Sequence, residues 1–296
     1  MRRVIALRRL RTLDLAAASG LVVHDGRLHL VADDDLCLHV YADEGARRTA
    51  RVQLFPGDLP ADPAARKAHK PDLEALVLVA GAGLLALGSG SRPNRCRGAL
   101  VPLPAGEAGR TRVVDLAPLY EALGARISAL NVEGAAVAGA VLRLLQRGNG
   151  PGGTSAVIDL DLAGVLQALA GERPVLGGAL VRAVHRVDLG TLGGVPLGFT
   201  DASPLGDGRI AFAAAAEASP DVYEDGPCAG AALGVLDAGA ALVHLEPVDA
   251  PLKLEGLHAF APQPDGSVDV LIVADADDPT RPTPLCSATL RPRGRS

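Results

Sequence analysis

Short apolar runs separated by glycine turns recur along the whole chain, and they repeat at the spacing of strands. Arg27-Leu28-His29-Leu30-Val31 follows Asp25-Gly26, Arg209-Ile210-Ala211-Phe212 follows Asp207-Gly208, and Val268-Asp269-Val270-Leu271-Ile272-Val273 follows Asp265-Gly266. An Asp-Gly pair accepts the positive φ of a tight hairpin turn, so each pair predicts two antiparallel strands on either side of it. Gly81-Ala82-Gly83 and Gly139 take the same place ahead of Leu84-Leu85-Ala86-Leu87 and Val141-Leu142-Arg143-Leu144-Leu145.

The strand preceding each turn also repeats. Ser19-Gly20-Leu21-Val22, Glu74-Ala75-Leu76-Val77, Glu133-Gly134-Ala135-Ala136, Thr200-Asp201-Ala202-Ser203 and Glu255-Gly256-Leu257-His258 begin at intervals of 55, 59, 67 and 55 residues. A repeat of this length with several short strands per unit predicts a propeller of four-stranded blades. A third strand follows in each unit, as in Leu36-Cys37-Leu38-His39-Val40-Tyr41, and a fourth in some, as in Gly178-Ala179-Leu180-Val181-Arg182-Ala183-Val184. The last unit stops soon after Ser287-Ala288-Thr289-Leu290, one strand short, while Val4–Leu10 precede the first unit. The fold expected is therefore all-β: a five-bladed β-propeller, one domain over residues 1–296, with the N-terminal strand closing the last blade and removing the free sheet edge. Helical spacing over Asp115–Leu123 and Asp161–Leu169, the latter with Asp161 as N-cap, predicts two short inserted helices.

Composition narrows the picture. Hydrophobic residues make up 48% of the 296 but aromatics only 2%, with no Trp, so the core is aliphatic. A net charge of -5 speaks against a nucleic-acid binder. Cys37, Cys96, Cys228 and Cys286 are too far apart for a zinc or redox motif and read as isolated thiols, although a disulfide between two strands stays open. Arg8, Arg9, Arg11 and Asp14 interrupt any secretory leader, and no apolar run reaches membrane-spanning length, so a full-length cytoplasmic protein is expected.

In a propeller the first strand of each unit lines the axis. Ser19, Glu74, Glu133, Thr200 or Asp201, and Glu255 would then converge, and such carboxylates are tolerated around a hard cation, for which Ca²⁺ is the natural choice. Alternatively they face channel water or bond backbone amides. A second polar set follows the second strand of each unit: Asp33, Asp34 and Asp35; Ser89, Ser91, Asn94 and Arg95; Gln146, Arg147 and Asn149; Glu217; Asp275 and Asp277. Within it, Gly88-Ser89-Gly90-Ser91-Arg92-Pro93-Asn94-Arg95 offers Arg92, Arg95 and Arg97 as an anion clamp, and Arg147-Gly148-Asn149-Gly150 repeats the theme. The seven histidines form no ligand pair; His258, beside Glu255, is the one candidate base titrating near neutral pH. Walker, nucleophile-elbow and dinucleotide motifs are absent.

Leu254-Glu255-Gly256-Leu257, followed by a glycine turn and Val-Leu-Ile-Val-Ala-Asp, resembles the phytase-like and esterase-like propellers of bacteria. The Gly-Ser-Gly-Ser-Arg-Pro-Asn-Arg, Gln-Arg-Gly-Asn and Phe-Thr-Asp-Ala segments look like an uncharacterised bacterial family near them. The order Ser19, Glu74, Glu133, Thr200, Glu255 also resembles the calcium-activated nucleotidases (apyrases), and that resemblance implies an axial Ca²⁺ on these residues. Thr200 departs from the serine of that pattern, and the aromatic-rich stretches of those enzymes are missing. The expectation carried forward is a calcium-dependent phosphoester hydrolase. Glu74, Glu133 and Glu255 would hold the metal with Asp201 nearby, Arg95 and Arg147 would hold a small anionic ligand, and His258 or a carboxylate would act as base. A non-catalytic propeller binding a small ligand or a protein, and a lactone hydrolase, are the alternatives.

Overall fold

Five small antiparallel sheets stand in a ring, each built as a meander outward from the axis. The computed structural model describes residues 4–42, 47–106, 109–149, 153–218, 226–250, 252–275 and 281–292. Blade I is β2 (Ala18–His24), β3 (Arg27–Ala32), β4 (Cys37–Ala42) and β5 (Arg47–Gln53); blade II is β6 (Leu73–Val79), β7 (Gly83–Gly88), β8 (Arg97–Val101) and β9 (Arg112–Asp115). Blade III is β10 (Val132–Ala138), β11 (Val141–Gln146), β12 (Ala156–Asp161) and β13 (Val181–Arg186). Blade IV holds a two-residue β14 (Thr191–Leu192), β15 (Val195–Pro204), β16 (Ile210–Glu217), β17 (Cys228–Leu236) and β18 (Leu242–Pro247). Blade V is β19 (Lys253–Ala259), β20 (Val268–Asp275) and β21 (Pro284–Leu290), completed by β1 (Arg8–Thr12), which pairs antiparallel with β21. The ring thus closes through the N-terminal strand.

The core lies between blades. Along β7, Leu84 and Ala86 face the cluster shared with blade I, while Leu85 and Leu87 face the one shared with blade III. That is the two-residue alternation of a strand with both faces covered, which explains the unbroken apolar runs in the sequence. Where β16 reads Ile210-Ala-Phe-Ala-Ala-Ala-Ala, every residue is buried, and the small side chains let blades III, IV and V pack closely. The hairpin turns follow from their glycines: Asp25 and Gly26 take φ of 49° and 69°, the positive pair that a two-residue turn needs.

Among the described residues, two of the three α-helices lie where the spacing placed them. α2 is Ala117–Gly124, and α3 is Leu162–Ala170, with the Asp161 carboxylate accepting the Gly164 N–H at 3.1 Å. The third, α1 (Pro63–His69), was not expected; it is capped by Asp62 and begins on Pro63. All four cysteines are free thiols. Among the described residues no helix is long and apolar enough to cross a membrane.

The innermost strands β2, β6, β10, β15 and β19 carry the feature that matters most here. In each, pairing with the second strand of its blade skips one residue: Ser19, Glu74, Glu133, Thr200 and Glu255. A bulged residue leaves the ladder and kinks its strand. The next position is where neighbouring inner strands meet. A Cβ on Gly20 would stand 2.9 Å from the Leu76 nitrogen, and one on Gly134 would stand 2.8 Å from the Asp201 Cα.

Candidate functional site

Four of the five bulges face a polar pocket of about 50 Å³ among the inner strands. Ser19, Glu74, Glu133 and Glu255 line it. Two further positions per blade reach the same space. Residues two before the bulge share its side of the strand, and this set is Ala17, Asp72, Asn131, Gly198 and Lys253, of which all but Gly198 line the pocket. Gly198 is bare because Arg147 lies against it: a Cβ there would come within 2.8 Å of the Arg147 Cγ. At the ends of the second strands stand Asp33, Ser89, Arg147, Glu217 and Asp275, and Asp33, Arg147 and Asp275 line the pocket. From outside the blades, α1 and the turn after it supply Lys67 and Lys70, while a single 3₁₀ turn at Pro93–Arg95 supplies Arg95.

Carboxylates and cations alternate around this wall. Arg147, 4% exposed, reaches Glu133 Oε2 at 3.2 Å and Glu217 Oε2 at 2.6 Å. Lys253 joins Glu217 at 3.3 Å to Glu255 at 3.1 Å. Arg95 holds Asp72 at 2.6 Å, and Lys70 lies 3.0 Å from the other Asp72 oxygen and also pairs with Asp33. Asn131 donates to Glu133 at 2.5 Å. Glu74 alone among the bulge carboxylates has no hydrogen bond or ion pair to a described residue, and burial together with Glu133, Asp72 and Asp33 pushes its carboxyl far above the ordinary range. Burial raises Glu133 and Asp33 too, against the pull of Arg147 and Lys70 respectively. Glu255 is taken up to about 8 by burial, only partly offset by Lys253 and Arg147. Its Oε2 is buried with no hydrogen-bond partner.

Other sequence candidates lie elsewhere or act differently. Thr200 completes the bulge set but is fully buried, its hydroxyl has no partner, and it does not line the pocket. Asp201 is a latch between blades: it accepts the Leu257 N–H at 2.7 Å and that of Ala202 at 2.7 Å, so it binds backbone amides away from the pocket. Ser19 donates to the Leu73 carbonyl of the next blade. Arg95 and Arg147 stand at the pocket, but the expectation that they form an open anion clamp is corrected: their guanidinium groups are buried in the wall and committed to carboxylates. Arg97 stacks 4.6 Å over the Phe55 ring. His258 is also corrected. It lies outside the pocket lining, its Nδ1 accepts the Val23 N–H at 3.2 Å, and burial lowers it to about 4, so it cannot serve as the neutral-pH base beside Glu255. Asp277 lies outside the described residues. Asp72, Asn131, Lys70 and Lys253 were missed, although three of them sit at a constant offset of two from the bulge residue.

The raised carboxyls give the fold a pH dependence of definite sign. Folded Glu255 keeps its proton to about pH 8, whereas an unfolded glutamate releases it near about 4.3. Between those values the folded state binds more protons, so stability falls as pH rises. In chelator, the melting temperature is expected to drop from about pH 5 to pH 8, and Glu255→Gln to flatten that slope. An unchanged slope in the variant would show that Glu255 titrates normally.

Comparisons with known proteins fit this architecture. The model of a family described as "Family of unknown function (DUF6929)" matches residues 14–290. No curated protein matches in sequence. Among solved structures, the glutaminyl cyclase of Myxococcus xanthus superposes with a TM-score of 0.52 at 12% identity, covering 98% of this chain and 100% of that one. A candidate glycoside hydrolase from Parabacteroides distasonis gives a TM-score of 0.50 at 11% identity, covering 95% and 93%. Both are enzymes by name, and at these identities the likeness is one of fold.

Proposed function

Since this chain belongs to the DUF6929 family, whose function is unknown, its activity has to be read from its own side chains, and we propose that the axial pocket binds a hard divalent cation, Ca²⁺ by preference, and hydrolyses a small phosphoester with its help. The observation that carries this is the grouping of Asp33, Asp72 and Glu74, whose ligand oxygens lie within 4.8 Å of one another. A Ca²⁺ ion about 2.3–2.6 Å from each oxygen fits this separation, and Glu74 has no hydrogen bond or ion pair to a described residue to surrender. In this reading Glu74 is kept from the set expected from sequence, and Asp33 and Asp72 join it in place of Glu133 and Glu255 because these three carry the grouped oxygens.

When bound, such a cation polarises a phosphoryl oxygen and acidifies water. The chain's own groups do the rest. Arg147 and Lys253 hold their carboxylate partners in place along one side of the pocket, so an anionic ligand would be held through the cation and not by an open arginine clamp. Glu255 carries a proton at neutral pH, and its Oε2 has no protein acceptor, so it can deliver that proton to a leaving oxygen. This gives Glu255, expected from sequence as a metal ligand, the part of an acid, beside the expectation that His258 or a carboxylate acts as base.

The test is thermal melting and turnover of p-nitrophenyl phosphate with Ca²⁺ or with chelator. A cation at a hundred times its Kd stabilises the folded state by about 2.7 kcal/mol, and Glu74→Gln should lose both that gain and the turnover. Stabilisation without product would favour a non-catalytic binding propeller. The guanidinium groups of Arg95 and Arg147, buried and paired with carboxylates, are the observation on that side. No effect of Ca²⁺ on either readout rejects the proposal.

A further inference from the structure

Lys70 stands where the proposed cation would stand. Its Nζ pairs with Asp33 and lies 3.0 Å from Asp72 Oδ1, so it already occupies two of the three acids of the group. We propose that Lys70 is a tethered competitor for this position: its ammonium and a divalent cation are alternative occupants, and Lys70 sets how tightly the metal is held. The inference rests on the metal reading above.

A doubly charged ion bound to the Asp33 and Asp72 oxygens cannot share them with an ammonium at hydrogen-bond distance, because the two positive charges would sit almost in contact. Lys70 is suited to yield. It follows α1 on a turn outside the blades, and its backbone is held independently of its side chain. Its N–H donates to the Arg66 carbonyl at 2.8 Å and its carbonyl accepts the Asn94 side chain at 2.9 Å. The flexible four-carbon stem can therefore swing while the backbone stays. Arg95 keeps hold of Asp72 Oδ2 at 2.6 Å throughout, so the acid is not stranded.

The pocket also retains polar groups that Lys70 does not satisfy. Glu255, 5% exposed and lining the same space, has a buried Oε2 without a partner, as does Asp33 at Oδ1. These unpaired polar oxygens point to an occupant beyond the lysine.

Calorimetric titration of Ca²⁺ into the wild type and Lys70→Met is the direct test. The variant should bind at least tenfold more tightly. Binding by the variant alone also supports the competition, while removing the metal reading for the wild type. Equal or weaker binding by the variant, with the wild type binding, overturns the competition and leaves the metal reading intact. Absence of binding in both overturns the two together. If Lys70→Met fails to fold, the wild type suffices: Ca²⁺ should speed acetylation of Lys70 by an N-hydroxysuccinimide ester severalfold, read by peptide mass spectrometry. A bound metal that leaves the Lys70 rate unchanged or lowers it overturns the inference.

Discussion

Replacing Arg147 by Met is expected to destabilise the fold by about 3–5 kcal/mol, the range found when one partner of a buried ion pair is removed. The guanidinium sits between Glu133 and Glu217, whose side chains are 3% and 2% exposed. Without it, Glu133 keeps the Asn131 amide among the described residues, and Glu217 keeps Lys253 and the Gly226 N–H at 2.8 Å. The cost arises in the two desolvated carboxylates left behind, and methionine fills the volume without answering either charge. The deficit should therefore shrink on acidification, since burial already raises the Glu133 carboxyl, the variant removes the Arg147 charge that pulls it down, and stability then falls more steeply with rising pH. Urea midpoints at mildly acid and mildly alkaline pH would measure this. A loss below about 1 kcal/mol at alkaline pH would mean that water reaches the carboxylates.

Removing residues 1–12 is expected to abolish cooperative unfolding altogether. The segment does more than complete blade V. Arg8 to Thr12 pair with Ser287 to Pro284, and ahead of them Ile5 forms a parallel bridge to Val248 at the end of β18. Ile5 N–H donates to Pro247 at 2.9 Å, Asp249 N–H donates to Ile5 at 3.0 Å, and Leu7 N–H donates to the Asp249 side chain at 2.9 Å. Ile5 itself is 5% exposed. Its burial is worth about 1.5–3 kcal/mol and each ladder bond about 1 kcal/mol. The sum rivals the ~5–15 kcal/mol that holds an ordinary domain together. A peptide of residues 1–12 added in trans should restore part of the transition. A truncated protein that melts as sharply as the full chain would show that the ring is held shut elsewhere.

The fold was legible because blades repeat. Asp-Gly turns and apolar runs located the strands, and equivalence between units singled out the residue that is bulged in four inner strands and left Thr200 or Asp201 open in the fifth, where the bulge is Thr200. What the repeat could not reveal is which charge answers which. Arg147 and Glu217 lie 70 residues apart and meet only because blades III and IV are neighbours. So a sequence full of arginines suggested an anion clamp where the structure has buried pairs. The offset-two positions were overlooked because Ala17 and Gly198 interrupt the polar series. His258 was misplaced for a geometric reason: three residues beyond Glu255 on a strand is about 10 Å further along the axis, where the ring offers it a backbone amide. The helix α1 was marked by Asp62-Pro63, a cap followed by a residue that favours the first turn, but it brings too few apolar residues to the core for periodicity to disclose it.

The bulges separate two tasks that a strand residue normally performs together. A residue inside the ladder must suit both its cross-strand neighbour and the packing behind it, whereas the extra residue of a bulge is excused from the first demand. Serine, glutamate and threonine can consequently occupy equivalent places around one axis with the same backbone beneath them. Chemistry at the centre of this molecule can be rewritten one letter per blade, by drift or by design, while the architecture that presents it stays as it is.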